Sequence, residues 1–238
     1  MKNKELPGQL TFISLTQKKK KKKVKDVFKA FLTEGCKRTQ VEGYPIIPVW
    51  MIPTDVENIK IIPFSRWKEV GKRINEYYIC FFCEDDDFTA VLNNPKQYIR
   101  LFRRAKGIIG FDYSIYYDMP VIKQKSQMND NLSLTFYYGM RNIKIIPNIR
   151  YGIESTRDDF LSAIPCNSII AIGSYGCVHS LEEKERFRYF LREMLPRLSP
   201  KLVVVYGAMP EDVFGEFKET YSFVQCDAIS GHDRKEVS

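Results

Sequence analysis

Short apolar runs alternate with longer amphipathic segments along most of the chain. The runs Ile-Ile-Ala-Ile at 169–172 and Leu-Val-Val-Val at 202–205 are apolar throughout, which is typical of strands covered on both faces. Between the runs, apolar residues recur every three or four positions, as on one face of a helix. The pattern predicts about seven strands, over residues 59–63, 77–83, 108–111, 144–147, 168–172, 202–205 and 222–226.

The segments between these strands predict helices, and the clearest of them begins at Ser180. Ser180 and Glu183 have the spacing of a capping box, in which each side chain bonds a backbone N–H at the start of a helix. Strands that alternate with helices are typical of a mostly parallel sheet with right-handed crossovers. The number of units slightly favours a (β/α)-barrel-like form over an open doubly wound sheet.

The same pattern divides the chain into four regions. We predict a basic disordered arm over 1–23, a helix over 24–35 with an extended lead-in to 57, an α/β domain over 58–227, and a polar tail over 228–238. The longest apolar run, at 77–83, has seven residues, which is too short for a membrane span. Since the N-terminal region also lacks a secretory pattern, we expect a cytoplasmic protein.

The positive charge of the chain is concentrated at one end. The net charge is +8, and residues 1–25 contain nine lysines and one acid, so the rest of the chain is balanced. Six of the lysines are consecutive, from Lys18 to Lys23. Such a block is solvated and disordered, and it would give a salt-sensitive attraction to nucleic acid or another polyanion. A lysine tract tolerated without function is the alternative.

Several kinds of site are not expected from this sequence. Six cysteines without a secretory context do not predict a disulfide framework. The CxxC spacing of Cys80 and Cys83 falls on a predicted strand, where residues three apart face opposite sides and would not share a metal ion. With His179 and His232 as the only histidines, neither a histidine-based zinc site nor a Ser-His-Asp triad is expected. Phosphate-loop, dinucleotide and HExxH motifs are absent. An enzyme with this sequence would use carboxylates, arginines and tyrosines, with or without a metal.

Polar residues follow the predicted strands, and the carboxyl ends of parallel strands are where such folds bind ligands. The candidate catalytic residues are Asp112, Asp118 and Asp227, and a divalent cation, Mg²⁺ or Mn²⁺, would bind at Asp112 and Asp118. The acidic residues 84–87 lie at the same edge. The candidate substrate-binding residues are Arg66, Ser114, Asn148, Arg150, Tyr151, Ser174, Tyr175 and Tyr206. The arginines would bind a phosphate or carboxylate. An ordinary role in turns is the alternative for each.

One internal echo links two of the strand ends. Residues 58–67 and 142–151 share their first six residues, Asn-Ile-Lys-Ile-Ile-Pro, and an arginine and an aromatic residue recur in register. The similarity does not extend into the flanks, as a duplication would. We interpret it as one local solution used twice, in which a strand closed by proline presents an arginine, Arg66 or Arg150.

Four segments resemble a known family. Phe-Asp-Tyr-Ser-Ile-Tyr-Tyr-Asp-Met-Pro at 111–120, Ile-Ile-Pro-Asn at 145–148, Ile-Ala-Ile-Gly-Ser-Tyr-Gly-Cys at 170–177 and Leu-Ser-Pro-Lys-Leu-Val-Val-Val-Tyr-Gly at 198–207 are similar to the domain-of-unknown-function family 4417. The resemblance covers residues 43–226 and implies a protein of bacteria, phages or other mobile elements. It implies that Asp112, Ser114, Tyr116, Asp118 and Pro120 belong to the family's signature, and it assigns them no roles.

Two functional hypotheses follow. In the first, the chain is an enzyme that acts on a phosphorylated or nucleic-acid-like substrate at the carboxyl ends of its strands. In the second, it is a non-enzymatic factor of a mobile element that binds nucleic acid or a host protein. Asp112, directly after a predicted strand, is the residue that the first hypothesis places at the chemistry.

Overall fold

A computed structural model describes Asp26 and residues 28–227. The predicted basic arm, the lysines from Lys18 to Lys23 and the predicted tail lie outside the described residues, and so does the beginning of the helix predicted over 24–35. Within the described part of that segment, a single 3-10 turn covers Ala30–Thr33. The chain divides after Phe31 into two units, and the strands and α-helices belong to the second, which begins at Leu32.

In the part of the chain that the structure describes, seven strands follow one another in chain order, and every ladder between them is parallel. They are β1 (Lys60–Pro63), β2 (Tyr77–Cys80), β3 (Gly107–Ile109), β4 (Ile145–Ile146), β5 (Ile169–Gly173), β6 (Leu202–Tyr206) and β7 (Phe223–Cys226). The predicted alternation of parallel strands and helices is confirmed. The expectation of one seven-stranded sheet is wrong, because β1–β4 form one sheet and β5–β7 form another.

The two sheets meet at a single parallel bridge between Asn148 and Ala171. The amide of Ile149 donates to the carbonyl of Ala171 at 2.9 Å, and the amide of Ala171 donates to the carbonyl of Pro147 at 2.8 Å. Proline has no N–H group, so Pro147 accepts a hydrogen bond at this junction and donates none. Because Pro147 directly follows the two-residue strand β4, a regular ladder between β4 and β5 does not develop.

Within residues 28–227, six α-helices connect or follow the strands: α1 (Asp85–Asn93), α2 (Pro95–Arg104), α3 (Val121–Gly139), α4 (Glu154–Ser162), α5 (Leu181–Leu198) and α6 (Glu211–Phe214). The predicted capping box is present, since Ser180 Oγ accepts from the amide of Glu183 and Glu183 Oε2 accepts from the amide of Ser180. Between β1 and β2 the chain forms a 3-10 helix, Phe64–Glu76, interrupted at Gly71, whose φ is 54°. No helix in the described part has the length and apolar content of a membrane span.

One apolar core receives side chains from all seven strands. Its members alternate along each strand, as side chains on one face of a sheet do, and Ile52 and Val56 of the lead-in segment join them. Phe82, directly after β2, stacks on Tyr206 of β6 with ring centroids 5.0 Å apart. In an open doubly wound sheet, strands so far apart in order do not share a core. The shared core is the arrangement of a (β/α)-barrel-like fold.

A second apolar layer, on the outer face of the first sheet, fixes the end of β3. Phe111 stacks on Phe81 with centroids 3.8 Å apart, and Phe88 of α1 and Tyr138 of α3 complete its surroundings. Phe81 and Phe111 are both buried, and each such ring stabilises the fold by about 1.5–3 kcal/mol. Because Phe111 is held on two sides, the next residue, Asp112, begins its loop from a fixed position.

Candidate functional site

A cleft of about 190 Å³ lies at the carboxyl ends of the central strands. Its polar lining residues are Asp112, Asn148, Arg150 and Cys177, and its apolar and aromatic walls are Ile115, Ile149, Tyr151, Ile172, Phe187 and Phe190, with Gly173 also in the lining. The segments after β3, β4 and β5 supply most of these residues, and α5 supplies the two phenylalanines. The cleft therefore lies at the edge of the sheets where parallel folds place ligands.

Three polar side chains form a connected network in the cleft. Asn148 Nδ2 donates to Asp112 Oδ1 at 2.7 Å, and Arg150 Nη1 donates to Asp112 Oδ2 at 2.8 Å. Asn148 Nδ2 also lies 3.3 Å from the carbonyl oxygen of Phe111. Both partners of this nitrogen are acceptors, so the orientation of the Asn148 amide is determined. Asn148 Oδ1 is then buried without a hydrogen-bond partner, and such groups are rare in folded proteins.

Burial and charge shift the pKa values of the network in opposing ways. Burial raises the pKa of Asp112 above its ordinary value, and the nearby Asp85 carboxylate raises it further, while Arg150 and Asn148 oppose the shift. The Asp112 carboxylate raises the pKa of Arg150, which therefore stays charged. Burial also raises the pKa of the Cys177 thiol, and the positive charge of Arg150 partly offsets this. Perturbed groups that gather in one cleft are typical of functional sites.

The loop after β3 is held by side chains from two helices. Asp85, in the first turn of α1, accepts from the amide and the hydroxyl of Ser114 at 3.1 and 3.2 Å. Asn131 of α3 accepts from the amide of Tyr113 at 2.8 Å and donates to its carbonyl oxygen at 3.3 Å. Ser114 thus faces a carboxylate that supports the loop. Sequence reasoning missed Asn131, because its spacing from Tyr113 carries no motif.

Gln124 connects the loop after β3 to the loop after β4. It is fully buried near the start of α3. Its Nε2 donates to the carbonyl oxygen of Met119 at 2.8 Å, and its Oε1 accepts from the amide of Ile153 at 2.9 Å. Both functional groups of the amide are therefore used. Sequence reasoning missed Gln124 as well, since a lone glutamine in a helix does not indicate which loops it joins.

The structure places the other predicted site residues elsewhere. Ser174 is fully buried and its hydroxyl donates to the carbonyl oxygen of Ala208 at 2.6 Å, which joins the ends of β5 and β6. Tyr206 belongs to the core. Asp118, Tyr175 and Asp227 are exposed, and Arg66 pairs with Glu69 within its own 3-10 helix. Of the predicted residues, the cleft thus brings together Asp112, Asn148, Arg150 and Tyr151. Phe187 and Phe190 also line the cleft and were not among the predicted site residues.

Asp112, the one carboxylate in the lining of this cleft, does not fit a resident divalent cation. Both oxygens of Asp112 accept hydrogen bonds, and Arg150 already supplies its counter-charge. Asp118, the second predicted ligand, is exposed and is not part of the lining. Within the residues that the structure describes, no group of three histidine, cysteine or acidic side chains is arranged to hold a metal ion.

Comparison with known proteins gives a family and two phage relatives. The family model described as "Domain of unknown function (DUF4417)" matches residues 39–224. The chain is 28% identical over 129 residues to "Gene 1 protein" of Mycobacterium phage L5, which covers 54% of this chain and 56% of the relative. It is 26% identical over 129 residues to "Gene 1 protein" of Mycobacterium phage D29, which covers 54% and 48%. The chain thus spans about half the length of these curated relatives. No solved structure matches it.

Proposed function

We propose that this chain, which belongs to the family Domain of unknown function (DUF4417), is an enzyme that acts on a nucleotide-like substrate in the cleft after β3, β4 and β5. The substrate class is a free nucleotide or one nucleotide unit of a nucleic acid. The names of the phage relatives describe no activity, so the proposal rests on the chemistry of the cleft.

The Asp112–Asn148–Arg150 network carries this proposal. It is a buried set of charged and polar groups that opens into a cleft with aromatic walls, and this combination matches a ligand with a flat apolar body and a polar edge. If the network served only stability, apolar side chains of similar volume would often stabilise the fold as well or better, because burying charged groups carries a desolvation cost. Its position at the strand ends is the usual position of active sites in barrel-like folds.

Asp112 is the group that we propose for proton transfer. Its raised pKa brings it closer to neutral pH, where general acids and bases work well. Arg150 orients Asp112 and contacts the substrate through its remaining N–H groups. Cys177 completes the polar wall next to Arg150.

Ligand binding by matched variants tests the proposal. We would measure melting temperature and calorimetric binding with nucleoside monophosphates and triphosphates, for the wild type, Arg150→Gln and Arg66→Gln. Arg66 is the matched control, because it lies in the echoed sequence context but pairs with Glu69 outside the cleft. We expect the wild type to bind a nucleotide. Arg150→Gln should weaken this binding at least ~10-fold, because charge-assisted hydrogen bonds are lost. Arg66→Gln should leave the binding unchanged. Failure of every nucleotide to bind the wild type would overturn the proposal.

Catalysis requires a separate measurement. Product formation from the nucleotide that binds would be followed by NMR, with Asp112→Asn as the variant. We expect turnover by the wild type and its loss in Asp112→Asn while nucleotide binding persists. Binding without any conversion would identify a binding protein in place of an enzyme.

A second candidate function rests on the lysine tract. The excess positive charge of the whole chain lies within residues 1–25, so a polyanion would be attracted there. Deletion of residues 1–23 should weaken binding to single- or double-stranded nucleic acid and flatten its salt dependence. Replacement of the six lysines by serine would separate charge from length. Unchanged binding at low salt would count against this function.

A further inference from the structure

We propose that the cleft reads the hydrogen-bonding edge of a neutral planar ring of the nucleobase class, with the phosphate of the nucleotide remaining outside. The inference rests on the proposed nucleotide-like substrate and states which part of it enters. It follows from four features of the cleft: one unused acceptor, one available donor, the local charge and the shape of the walls.

The unused acceptor is Asn148 Oδ1. Asn148 lines the cleft and is 8% exposed, and its Nδ2 is committed to Asp112 and to the backbone of Phe111. An exchange of the amide oxygen and nitrogen would place an oxygen against two acceptors, so Oδ1 remains the acceptor without a partner. A buried acceptor without a donor costs about 1–3 kcal/mol. A ligand N–H group that reaches this wall recovers that cost.

The available donor is Arg150. The guanidinium group has five N–H donors in a planar fork, and Arg150 Nη1 bonds Asp112. About one third of the side chain (34%) is exposed, and Arg150 lines the cleft. Asn148 and Arg150 both bond Asp112, so the residue with the acceptor and the residue with the donor are neighbours in the lining of the cleft. The complementary ligand has an acceptor next to a donor, which is the pattern of the amide-like edges of nucleobases.

The local charge disfavours a phosphate at this wall. Asp112 and Asp85 both interact electrostatically with Arg150, and Asp85 also acts on Asp112. The electrostatic surroundings of Arg150 thus include two acidic side chains. A phosphate would have to approach two carboxylates to reach one guanidinium group, whereas a neutral ring edge meets no such repulsion.

The walls have the size and character of a ring site. Phe190 packs against Tyr151 and Phe187 with centroid distances of 5.1 and 5.5 Å, so one side of the cleft is aromatic. The volume of about 190 Å³ is below the range of roughly 300–1,000 Å³ that encloses a drug-sized ligand. A single ring system fits this space, and the sugar and phosphate then extend towards solvent. Stacking on aromatic side chains contributes about 1–3 kcal/mol per base.

The test uses the full-length wild-type protein and modified ligands, so it does not depend on whether a variant folds. Calorimetry would compare each common nucleoside, its 5′-monophosphate, ribose 5-phosphate and inorganic phosphate. For the base that binds best, the ligand would then be replaced by an analogue whose edge donor is methylated: N3-methyluridine, N1-methylguanosine, N4,N4-dimethylcytidine or N6,N6-dimethyladenosine. Asn148→Leu, which removes the acceptor Oδ1 and also the two hydrogen bonds of Nδ2 with little change in size, is the protein-side variant.

We expect at least one nucleoside to bind within a few-fold of its monophosphate, and ribose 5-phosphate and inorganic phosphate not to bind. Methylation of the donor should weaken binding at least ~10-fold in the wild type, and much less in Asn148→Leu, which has no acceptor to satisfy. Equal binding of the methylated ligand would overturn the inference. Binding of nucleotides and ribose 5-phosphate without nucleosides would also overturn it, yet would leave the proposed function intact. Absence of binding by every ligand would overturn both.

Discussion

A side chain on Gly152 would collide with Gln124. A Cβ built at Gly152 would lie 1.7 Å from Gln124 Oε1, and that oxygen already accepts the hydrogen bond from the amide of Ile153. Since Gln124 is fully buried and its Nε2 holds the loop after β3, the side chain has no room to withdraw. The absence of a side chain at residue 152 is therefore what allows the loops after β3 and β4 to lie together beside the cleft.

We predict that Gly152→Ala destabilises the fold by about 1–3 kcal/mol, the usual cost of overpacking a filled site. Gly215→Ala is the control, because the atom that its Cβ would meet is the carboxylate of Glu211, which is exposed and can move aside. The control should change stability by less than about 1 kcal/mol. Urea denaturation measures both. Equal stability of Gly152→Ala and the wild type would show that Gln124 can adopt another position at little cost.

We predict that Asp112 makes the folded protein less stable as pH rises, which is the opposite of the usual effect of a carboxyl group. Its pKa in the folded state is raised by burial, so between its unfolded value, about 3.9, and its folded value the native state binds the proton more tightly. The stability that the protonated group contributes is therefore lost as pH rises through the folded pKa.

Asp112→Asn removes this titration and isolates it from the other carboxylates. Urea unfolding from about pH 3.5 to pH 7 should show the wild type losing stability relative to the variant as pH rises. A wild type that gains stability relative to Asp112→Asn over the same range would mean that the ion pair with Arg150 outweighs burial.

The contact between Phe82 and Tyr206 should show energetic coupling across the core. The two rings stack with an interplanar angle of 14° between residues of different sheets. A double-mutant cycle with Phe82→Leu and Tyr206→Leu should give a coupling of about 0.5–1.5 kcal/mol in the free energy of unfolding. Tyr206→Phe, which keeps the ring, should retain most of the coupling to Phe82. Additive effects within about 0.5 kcal/mol would show that the stacking is energetically unimportant.

Divalent cations should leave the melting temperature unchanged. Asp112 already receives two hydrogen bonds and the charge of Arg150, so a cation would have to displace both partners. Differential scanning fluorimetry with millimolar Mg²⁺ or Mn²⁺, compared with EDTA, provides the measurement. A cation-dependent stabilisation that disappears in Asp112→Asn would restore the divalent-cation site predicted from the sequence.

Much of the fold could be predicted because it depends on short-range periodicity. The apolar run before Gly173, the capping box at Ser180 and the paired Asn-Ile-Lys-Ile-Ile-Pro segments each reveal a local structure. Asn58 and Asn142, which open these two segments, both have left-handed backbone conformations, with φ of 46° and 60°. Asparagine adopts this conformation more readily than most residues. The echo therefore records a real structural similarity.

The candidate site was only partly predictable, because it depends on distances between segments far apart in sequence. Asp112, Asn148 and Arg150 follow strands and were found by that rule. The same rule selected Ser174 and Tyr206, which the structure places inside the protein. Sequence position shows that a residue follows a strand. Whether its side chain lies in the cleft or in the core depends on its contacts with segments far away in the sequence. The division into two sheets was missed for a related reason, since the effect of Pro147 depends on which strand lies beside it.

The junction at Asn148 and Ala171 couples the cleft to the boundary between the two sheets. The amides of Ile149 and Ala171 cross from one sheet to the other, while the side chain of Asn148 belongs to the cleft network. Occupancy of the cleft would therefore act on the seam at which a single described bridge joins the two sheets. Hydrogen–deuterium exchange at these two amides reports the opening of that seam directly, and protection on addition of a ligand would register binding even before any reaction is known.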